Sequence, residues 1–164
     1  MPLAFTYPLM KRFTYWPQLF LGITFNYGLI LGWTAINAEI NFIPLIFYFG
    51  AIFWTLGYDT IYGFQDIKDD EIIGLKSTSI KFKSNPYVFL IICYSTFFLI
   101  LLITGYLMEL NKYYFISAIF IFFHLFINQI KKLNIKKPTN CLKVFKSNNT
   151  LGLIVFVSIL IGKI

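Results

Sequence analysis

The most chemically informative stretch of the chain runs from Tyr58 to Glu71 and holds five of its seven acidic residues, with long apolar runs on either side. Asp66 and Asp70 stand at i+7 and i+11 from Asp59. On a continuous helix, at about 100° per residue, the three carboxylates would fall within about 40° of one another. Asp66 and Asp70 would lie one turn apart, about 6 Å along the axis, and Asp59 about 10 Å back in the same groove. The spacing therefore predicts one acidic helix face, on which Asp66 and Asp70 share a divalent cation.

The residue types around this face favour a metal–diphosphate site. Carboxylates crowded on one face repel each other unless a cation neutralises them. Oxygen ligands suit Mg²⁺, which keeps several waters and is shared with substrate phosphates. Tyr62 lies at i+3 from Asp59, and the following Gly74-Leu-Lys76-Ser-Thr78 predicts a turn whose lysine can meet a phosphate. The alternative is a solvated loop of charges between apolar helices, which does not account for the aromatic neighbours or the lysine.

Three blocks of the sequence resemble motifs of one family. The pattern Asp59-x-x-Tyr62-x-x-x-Asp66-x-x-x-Asp70, followed by Gly74-Leu-Lys76-Ser-Thr78, resembles the second aspartate-rich motif of the 4-hydroxybenzoate polyprenyltransferases of the UbiA superfamily. The stretch Tyr7-Pro8-Leu-Met-Lys11-Arg12-Phe-Thr14-x-x-Pro17-Gln18 resembles a second block typical of the family. The stretch Asn140-Cys-Leu-Lys143-x-Phe145-x-x-Asn148-Asn149-x-x-Gly152 resembles a third block, near the family's C-terminus. The chain thus resembles the C-terminal part of the family, because the first aspartate-rich motif, Asn-Asp-x-x-Asp-x-x-x-Asp, occurs nowhere in it.

This resemblance implies an all-α membrane fold of nine helices, of which the chain, residues 1–164, would form the C-terminal part of one domain. It implies transfer of a polyprenyl group from polyprenyl diphosphate to an aromatic acceptor, at the carbon beside a phenolic hydroxyl. The expected acceptor is 4-hydroxybenzoate, in ubiquinone biosynthesis. The implied roles are Mg²⁺ binding and catalysis by Asp59, Asp66 and Asp70 with Lys76, and substrate binding by Tyr62, Lys11 and Arg12.

The resemblance also leaves an alternative open. Both aspartate-rich motifs supply metal ligands in the family, and this chain has one of them. The alternative is a catalytically inactive fragment, or half of a split enzyme that needs a separate N-terminal half. Two other enzyme classes with clustered aspartates fit less well. The Asp-Gly…Ala-Arg…Gly pattern of CDP-alcohol phosphotransferases is absent, and Asp69-Asp70-Glu-Ile-Ile does not match the Asp-Asp-x-x-Asp of terpene synthases.

The composition predicts a polytopic membrane protein rather than a soluble one. Apolar residues make up 58% of the chain and charged residues 13%, and the mean hydropathy is +0.71. Residues 1–9 would be the tail of one helix. Five further segments are long and uncharged enough to be transmembrane helices: about residues 19–36, 41–58, 86–108, 113–130 and 151–161. We therefore predict a helical bundle of about five spans in a lipid bilayer.

The positions of the basic residues predict its orientation. Twelve of the fourteen lysines and arginines fall before the first span, around the acidic segment, or between the fourth and fifth spans. These are alternate loops, as the positive-inside rule expects for the cytoplasmic side. We therefore expect the acidic segment to face the cytoplasm of a bacterial inner membrane. The same distribution accounts for the net charge of +7 without a nucleic-acid partner.

A few polar residues lie inside the predicted spans. His124 and Asn128 stand at i and i+4 in the fourth span and must face protein or water rather than lipid. We interpret them as a buried, hydrogen-bonded helix contact rather than as catalytic residues. Asn26, in the first span, makes a similar contact or lines a substrate cavity. Cys93 and Cys141 lack metal or redox spacing and are predicted to be free thiols.

Overall fold

The computed structural model of the protein describes residues 2–164, without the side chains of residues 2–5 and 7. Met1 and the Tyr7 side chain of the N-terminal block therefore lie outside the described residues. Every regular element within 2–164 is helical, as the composition predicts. The α-helices are α1 (Pro2–Phe13), α2 (Pro17–Phe25), α3 (Tyr27–Asn37), α4 (Phe42–Gly63), α5 (Ile67–Ile73), α6 (Thr78–Lys81), α7 (Pro86–Leu107), α8 (Lys112–Phe123), α9 (Pro138–Lys146) and α10 (Asn148–Lys163). Helix α8 continues directly into a π-helical segment, His124–Lys131.

Five helical stretches are long and apolar enough to cross a membrane, which confirms the predicted number of spans. The second continues past Tyr58 to Gly63, so that Asp59 lies inside it rather than beyond its end. The outer sides of the later spans are apolar and exposed, as at Leu99 and Phe120, which is expected where helices face lipid. The five stretches are Pro17–Asn37, Phe42–Gly63, Pro86–Leu107, Lys112–Lys131 and Pro138–Lys163.

The fifth span is longer than the hydropathy pattern predicts. It begins at Pro138 rather than near residue 151, because α9 is amphipathic and joins α10 directly. Cys141 and Val144 are buried, whereas Lys143 and Lys146 are exposed. Proline suits the first turn of a helix, where its missing N–H has no partner to lose. The lysines that suggested a loop therefore lie on one face of a helix.

The centre of the bundle forms where α4 packs against α7. Tyr94 and Phe97 of α7 are completely buried there. Helix α4 approaches Tyr94 through Gly57, where an added Cβ would lie only 2.5 Å from the ring carbon Cε1. Cys93 is buried beside this contact, and it and Cys141 are free thiols, as predicted.

Polar side chains join four spans inside this core. The Tyr94 hydroxyl donates to Oε1 of Gln129, and Gln129 Nε2 donates to Oδ1 of Asn148 at 2.6 Å. Trp54 Nε1 donates to the same Asn148 oxygen at 2.9 Å. An unpaired polar group in this environment would be costly. The network therefore fixes α4, α7, the π-helical segment and α10 relative to one another.

The lysine-rich loops meet at one end of the bundle. There the Lys76 N–H donates to the Lys11 carbonyl at 2.7 Å, and the Tyr87 hydroxyl donates to the Leu133 carbonyl at 3.1 Å. At the opposite end Asn111 closes the loop between α7 and α8 by donating to the Gly162 carbonyl at 2.9 Å. This arrangement agrees with the alternation of basic loops along the sequence. We call the first end the lysine-rich end.

Candidate functional site

The acidic segment does not lie on one helix. Helix α4 ends at Gly63, residues 64–66 turn, and α5 begins at Ile67. The prediction that Asp59, Asp66 and Asp70 share one continuous face is therefore wrong. Glycine is a weak helix former, and an aspartate followed by further acidic residues in the first turn is a typical helix start. The chain accordingly breaks between Gly63 and Asp66.

The predicted spacing of Asp66 and Asp70 is retained despite the break between the two helices. The Asp70 N–H donates to the Asp66 carbonyl at 2.8 Å, so that these two aspartates remain one helical turn apart. Asp66 is exposed, and Asp70 is buried, with 6% of its surface accessible. Asp59 stays on α4 and is partly buried. The structure thus keeps one pair of the three carboxylates together and places the third on a different helix.

Lys11 is the cation that neutralises Asp70. Its Nζ lies 3.1 Å from Asp70 Oδ2, and it also lies close enough to attract the Asp59 carboxylate. The Lys11 carbonyl meanwhile accepts the Lys76 N–H. The C-terminal turn of α1 is therefore attached to the acidic segment on both sides of Gly74. The N-terminal block thus meets the acidic segment in space, through an ion pair that the sequence did not predict.

The turn after α5 is fixed by buried hydroxyl groups. Gly74 ends α5 in the left-handed region, with φ of 77°, as a turn at this position requires. The Thr78 N–H donates to Oε1 of Gln18 at 3.0 Å, and the Thr60 and Thr78 hydroxyls are hydrogen-bonded at 2.6 Å. Gly63 leaves room for this docking, since a Cβ there would lie 2.3 Å from Ser79 Oγ. The turn is therefore held rigidly against α2 and α4.

Gln18 and Thr60 are the residues that sequence reasoning missed. Gln18 belongs to the N-terminal block, but no role followed from its position alone. It is almost completely buried, with 3% exposure, and Thr60 is fully buried. A glutamine at the start of an apolar span must find a buried partner, which was the available signal. Its partner, Thr78, is 60 residues away in sequence, so no local pattern identifies it.

Two further cations lie beside the acidic segment. Arg12 is exposed and, among the described residues, takes part in no ion pair. Lys76 is partly buried, with Nζ 3.4 Å from the Phe13 carbonyl and 5.7 Å from the centre of the Tyr15 ring. Within the part of the chain that the structure describes, neither cation is neutralised by a carboxylate. Both are thus free to bind an anionic group at the lysine-rich end.

An aromatic-lined cavity of about 320 Å³ opens between the first, second and fifth spans. Tyr58 and Phe145 line it, and Tyr62 contacts Phe145 with ring centres 4.8 Å apart. Tyr62 itself is 40% exposed and does not line the cavity. Asn26 does line it, and its Nδ2 donates to Thr55 Oγ1 at 2.8 Å. The aromatic side chains thus form a continuous path from the acidic segment into the bundle.

The carboxylates do not form a complete protein site for a metal. Within the described residues, no three His, Cys, Asp or Glu side chains come close enough to hold one ion. Asp66 is exposed and has no ion-pair partner there, while Asp70 has one oxygen occupied by Lys11. This donor set does not fit an all-protein cage. It fits Mg²⁺, which is commonly held by one or two carboxylates and shared with substrate phosphates.

Comparison with known proteins identifies the family. A model of the UbiA prenyltransferase family matches residues 1–159. Relatives include proteins named "4-hydroxybenzoate polyprenyltransferase, mitochondrial". The Bos taurus and Homo sapiens proteins are each 44% identical over 167 residues, covering 99% of this chain and 44% of the relative. The Arabidopsis thaliana protein is 39% identical over 162 residues, covering 98% of this chain and 40% of the relative.

The chain therefore spans less than half the length of these relatives. No solved structure matches it. Its five apolar helices and its similarity over almost the whole length make it a multi-pass membrane protein. On this similarity, the chain belongs to the UbiA prenyltransferase family.

Proposed function

We propose that this chain forms part of an enzyme that transfers a polyprenyl group from a polyprenyl diphosphate to an aromatic acid. The names of its relatives support 4-hydroxybenzoate as the acceptor, and hence a role in ubiquinone synthesis. The observation that carries the proposal is the meeting, at one end of the bundle, of the acidic segment, three cations and the aromatic-lined cavity. A diphosphate needs the charged groups, and an isoprenoid chain and an aromatic ring need the cavity.

The diphosphate is placed at the lysine-rich end. Asp66 and Asp70 would hold Mg²⁺ there. Asp59 lies on the neighbouring helix and would act on the diphosphate through Lys11 or solvent, rather than as a ligand of the same ion. When bound, Mg²⁺ neutralises the charge of a departing diphosphate. Lys76 and Arg12 bind the diphosphate oxygens directly, because neither has a carboxylate partner among the described residues. Lys11 holds Asp70 in place through their ion pair.

The aromatic-lined cavity receives the apolar part of the substrates. Trp54 and Tyr58 line it, with ring centres 5.8 Å apart and the rings at about a right angle to each other. Tyr62 extends this wall toward the acidic segment through Phe145. Such a wall excludes water from the reacting carbon and strengthens the nearby electrostatic interactions. The acceptor ring is therefore placed near Tyr58 and Tyr62.

The acidic segment is proposed to face the cytoplasm. The support is the gathering of twelve of the fourteen basic residues at one end. A reporter inserted near Lys76 or Lys137 should read cytoplasmic and one near Asn37 or Asn111 should read external. Lys76 and Asn37 reporters on the same side would contradict five spans. The bacterial inner membrane stays a prediction, since the relatives carry mitochondrial names; fractionation of the source cells tests it.

A second candidate is a chain without activity of its own. It is favoured by the incomplete metal site, since the described residues gather fewer than three ligands. A separate N-terminal half that carries the first aspartate-rich motif would then supply the opposite wall. In that case this chain is half of a split enzyme. Without such a partner it is catalytically inactive.

One experiment separates these possibilities. Membranes containing the chain alone, or the chain co-expressed with an N-terminal segment bearing the first motif, are given Mg²⁺, a polyprenyl diphosphate and 4-hydroxybenzoate. Prenylated product is measured by mass spectrometry. We expect product only after co-expression. Asp66→Asn and Asp70→Asn should each lower it by about 10²–10³-fold, as for loss of one strong electrostatic contact.

Asp69→Asn is the matched control, because Asp69 is an exposed acid on the same short helix and should keep most activity. Equal loss at Asp66, Asp69 and Asp70 would mean that only the net charge of the segment matters. Product from the chain alone would contradict the need for a second half. If neither preparation forms product, the inactive chain is the better explanation.

A further inference from the structure

A second cavity, of about 260 Å³, lies at the lysine-rich end and away from the acidic segment. It separates the π-helical segment from α9. One wall carries His124, Asn128 and Lys132, and the other carries Asn140, Lys143 and Ser147. None of these residues is part of the site described above. Apart from Val144, every residue that lines the cavity has a polar side chain, which is unusual for a crevice between two membrane-spanning helices.

The cavity carries positive charge that no carboxylate balances. Lys132 and Lys143 lie on opposite walls, and among the described residues neither takes part in an ion pair. Lys132 Nζ donates to Asn128 Oδ1 at 2.6 Å, which orients the ammonium but does not neutralise it. Residues 110–164 contain eight lysines and no aspartate or glutamate. Basic pockets of this kind between transmembrane helices attract lipid phosphate groups.

His124 supplies an independent sign of a missing ligand. Its side chain is buried, with 7% exposure, and Nδ1 has no hydrogen-bond partner in the described structure. The expected buried helix contact is present, because the His124 ring interacts with the Ser147 backbone, but Nδ1 itself has no partner among the described residues. Buried polar atoms without partners are rare, and this ring nitrogen can donate to or accept from a group placed in the cavity, according to the tautomer of the imidazole. The residue also begins a π-helical segment, a conformation found frequently at functional sites.

We propose that this cavity binds a phosphate group, carried by the headgroup of an anionic membrane lipid or present as free phosphate. The two lysines supply the charge. The His124 ring and the amide groups of Asn128 and Asn140 supply neutral hydrogen bonds. The cavity lies where the fourth span ends at Lys131, the level at which lipid headgroups are found. Its volume suits a phosphate with part of a glycerol, while the acyl chains would lie outside against the apolar helix faces.

The chain offers a direct probe because His124 is its only histidine. Protein labelled with ¹⁵N-histidine is purified in maltoside micelles, which contain no phosphate, and the one imidazole is followed by NMR at constant pH. Dioleoylphosphatidylglycerol is titrated in one arm and inorganic phosphate in another, with chloride at matched ionic strength as reference. We expect a saturable change in the His124 ring resonances. Lys132→Gln and Lys143→Gln should each raise the midpoint about fivefold.

Lys146→Gln is the matched control, since Lys146 lies on α9 but does not line the cavity; its midpoint should stay within about twofold of the parent. A response to phosphatidylglycerol alone assigns the site to a lipid headgroup, and a response to phosphate alone assigns it to the free ion. A response to both assigns it to the phosphate group itself. No response in either arm would overturn the proposal. So would a Lys146→Gln effect as large as that of Lys143→Gln, which would indicate general attraction to a basic surface.

Discussion

The ion pair between Lys11 and Asp70 gives the sharpest test of how the acidic segment is held. Its two ends are unequally buried: the Asp70 side chain is 8% exposed and that of Lys11 is 34% exposed. We predict that Lys11→Met destabilises the fold more than Asp70→Asn. The first change leaves a buried carboxylate without its cation, whereas the second leaves a lysine that can reach water.

The distance between the two charges sets limits on the free energy of their attraction. At the observed 3.1 Å, unit charges attract by about 5 kcal/mol at an effective dielectric constant of about 20, and by about 1.3 kcal/mol at about 80. The partial exposure of Lys11 places the pair between these limits. Desolvation of Asp70 and lost side-chain entropy then offset much of the attraction. We expect a coupling free energy of about 1–2 kcal/mol, with Lys11→Met costing about 2–3 kcal/mol and Asp70→Asn about 1–2 kcal/mol.

A double-mutant cycle measures this coupling. The parent, both single variants and the double variant are unfolded with dodecyl sulfate in mixed micelles, and helix content is followed by circular dichroism. Lys83→Met is the control, because it breaks the more exposed pair with Glu71 and should cost less than about 0.5 kcal/mol. Millimolar Mg²⁺ should recover part of the loss in Lys11→Met but none in the double variant. A coupling below about 0.3 kcal/mol, or a larger cost for Asp70→Asn than for Lys11→Met, would refute the reasoning.

Two further predictions concern packing and the polar core. Gly105→Ala should destabilise by about 1–3 kcal/mol, because its Cβ would lie 2.1 Å from Cε1 of the buried Tyr114 ring. Gly28→Ala, with no described atom within 4 Å of the new Cβ, should unfold like the parent in the same detergent titration. A similar loss of stability in the Gly105→Ala and Gly28→Ala variants would contradict a specific close contact between Gly105 and Tyr114. Gln129→Leu should cost about 1–3 kcal/mol, since the buried Tyr94 hydroxyl loses its acceptor. A more stable Gln129→Leu variant would mean that the network contributes no net stabilisation.

The spans and the turn could be predicted because each depends on local composition. A membrane-spanning helix needs about 20 apolar residues, and a left-handed helix end favours glycine, as at Gly74. The break after Gly63 was missed because the aspartate spacing alone fits a helical period. Asp66, followed by Asp69 and Asp70, is also a typical start of a new helix. This helix-start signal, rather than the aspartate spacing, predicts the observed division of the segment into α4 and α5.

The contacts that complete the site could not be predicted, because they join distant parts of the chain. The Trp54–Asn148 hydrogen bond spans 94 residues. Hydropathy indicates that polar side chains within spans need partners but does not choose among several candidates. For His124 the rule was right about burial, but Nδ1 has no partner among the described residues. Its unpartnered nitrogen is visible only once the surrounding side chains are placed.

The distribution of acidic residues is not explained by topology. The positive-inside rule accounts for the lysines at one end, but aspartate and glutamate contribute little to orientation. Within the acidic segment Asp70 and Glu71 have lysine partners, and exposed Asp66 has none among the described residues. Across residues 110–164 the imbalance is reversed, with lysines and no acid. The two regions at the same end of the bundle therefore differ in charge: the first mixes carboxylates with cations, whereas the second has lysines alone. The first arrangement suits a metal ion together with a diphosphate and the second suits an anion alone, which is why we propose Mg²⁺ only at the first site and a phosphate group at the second.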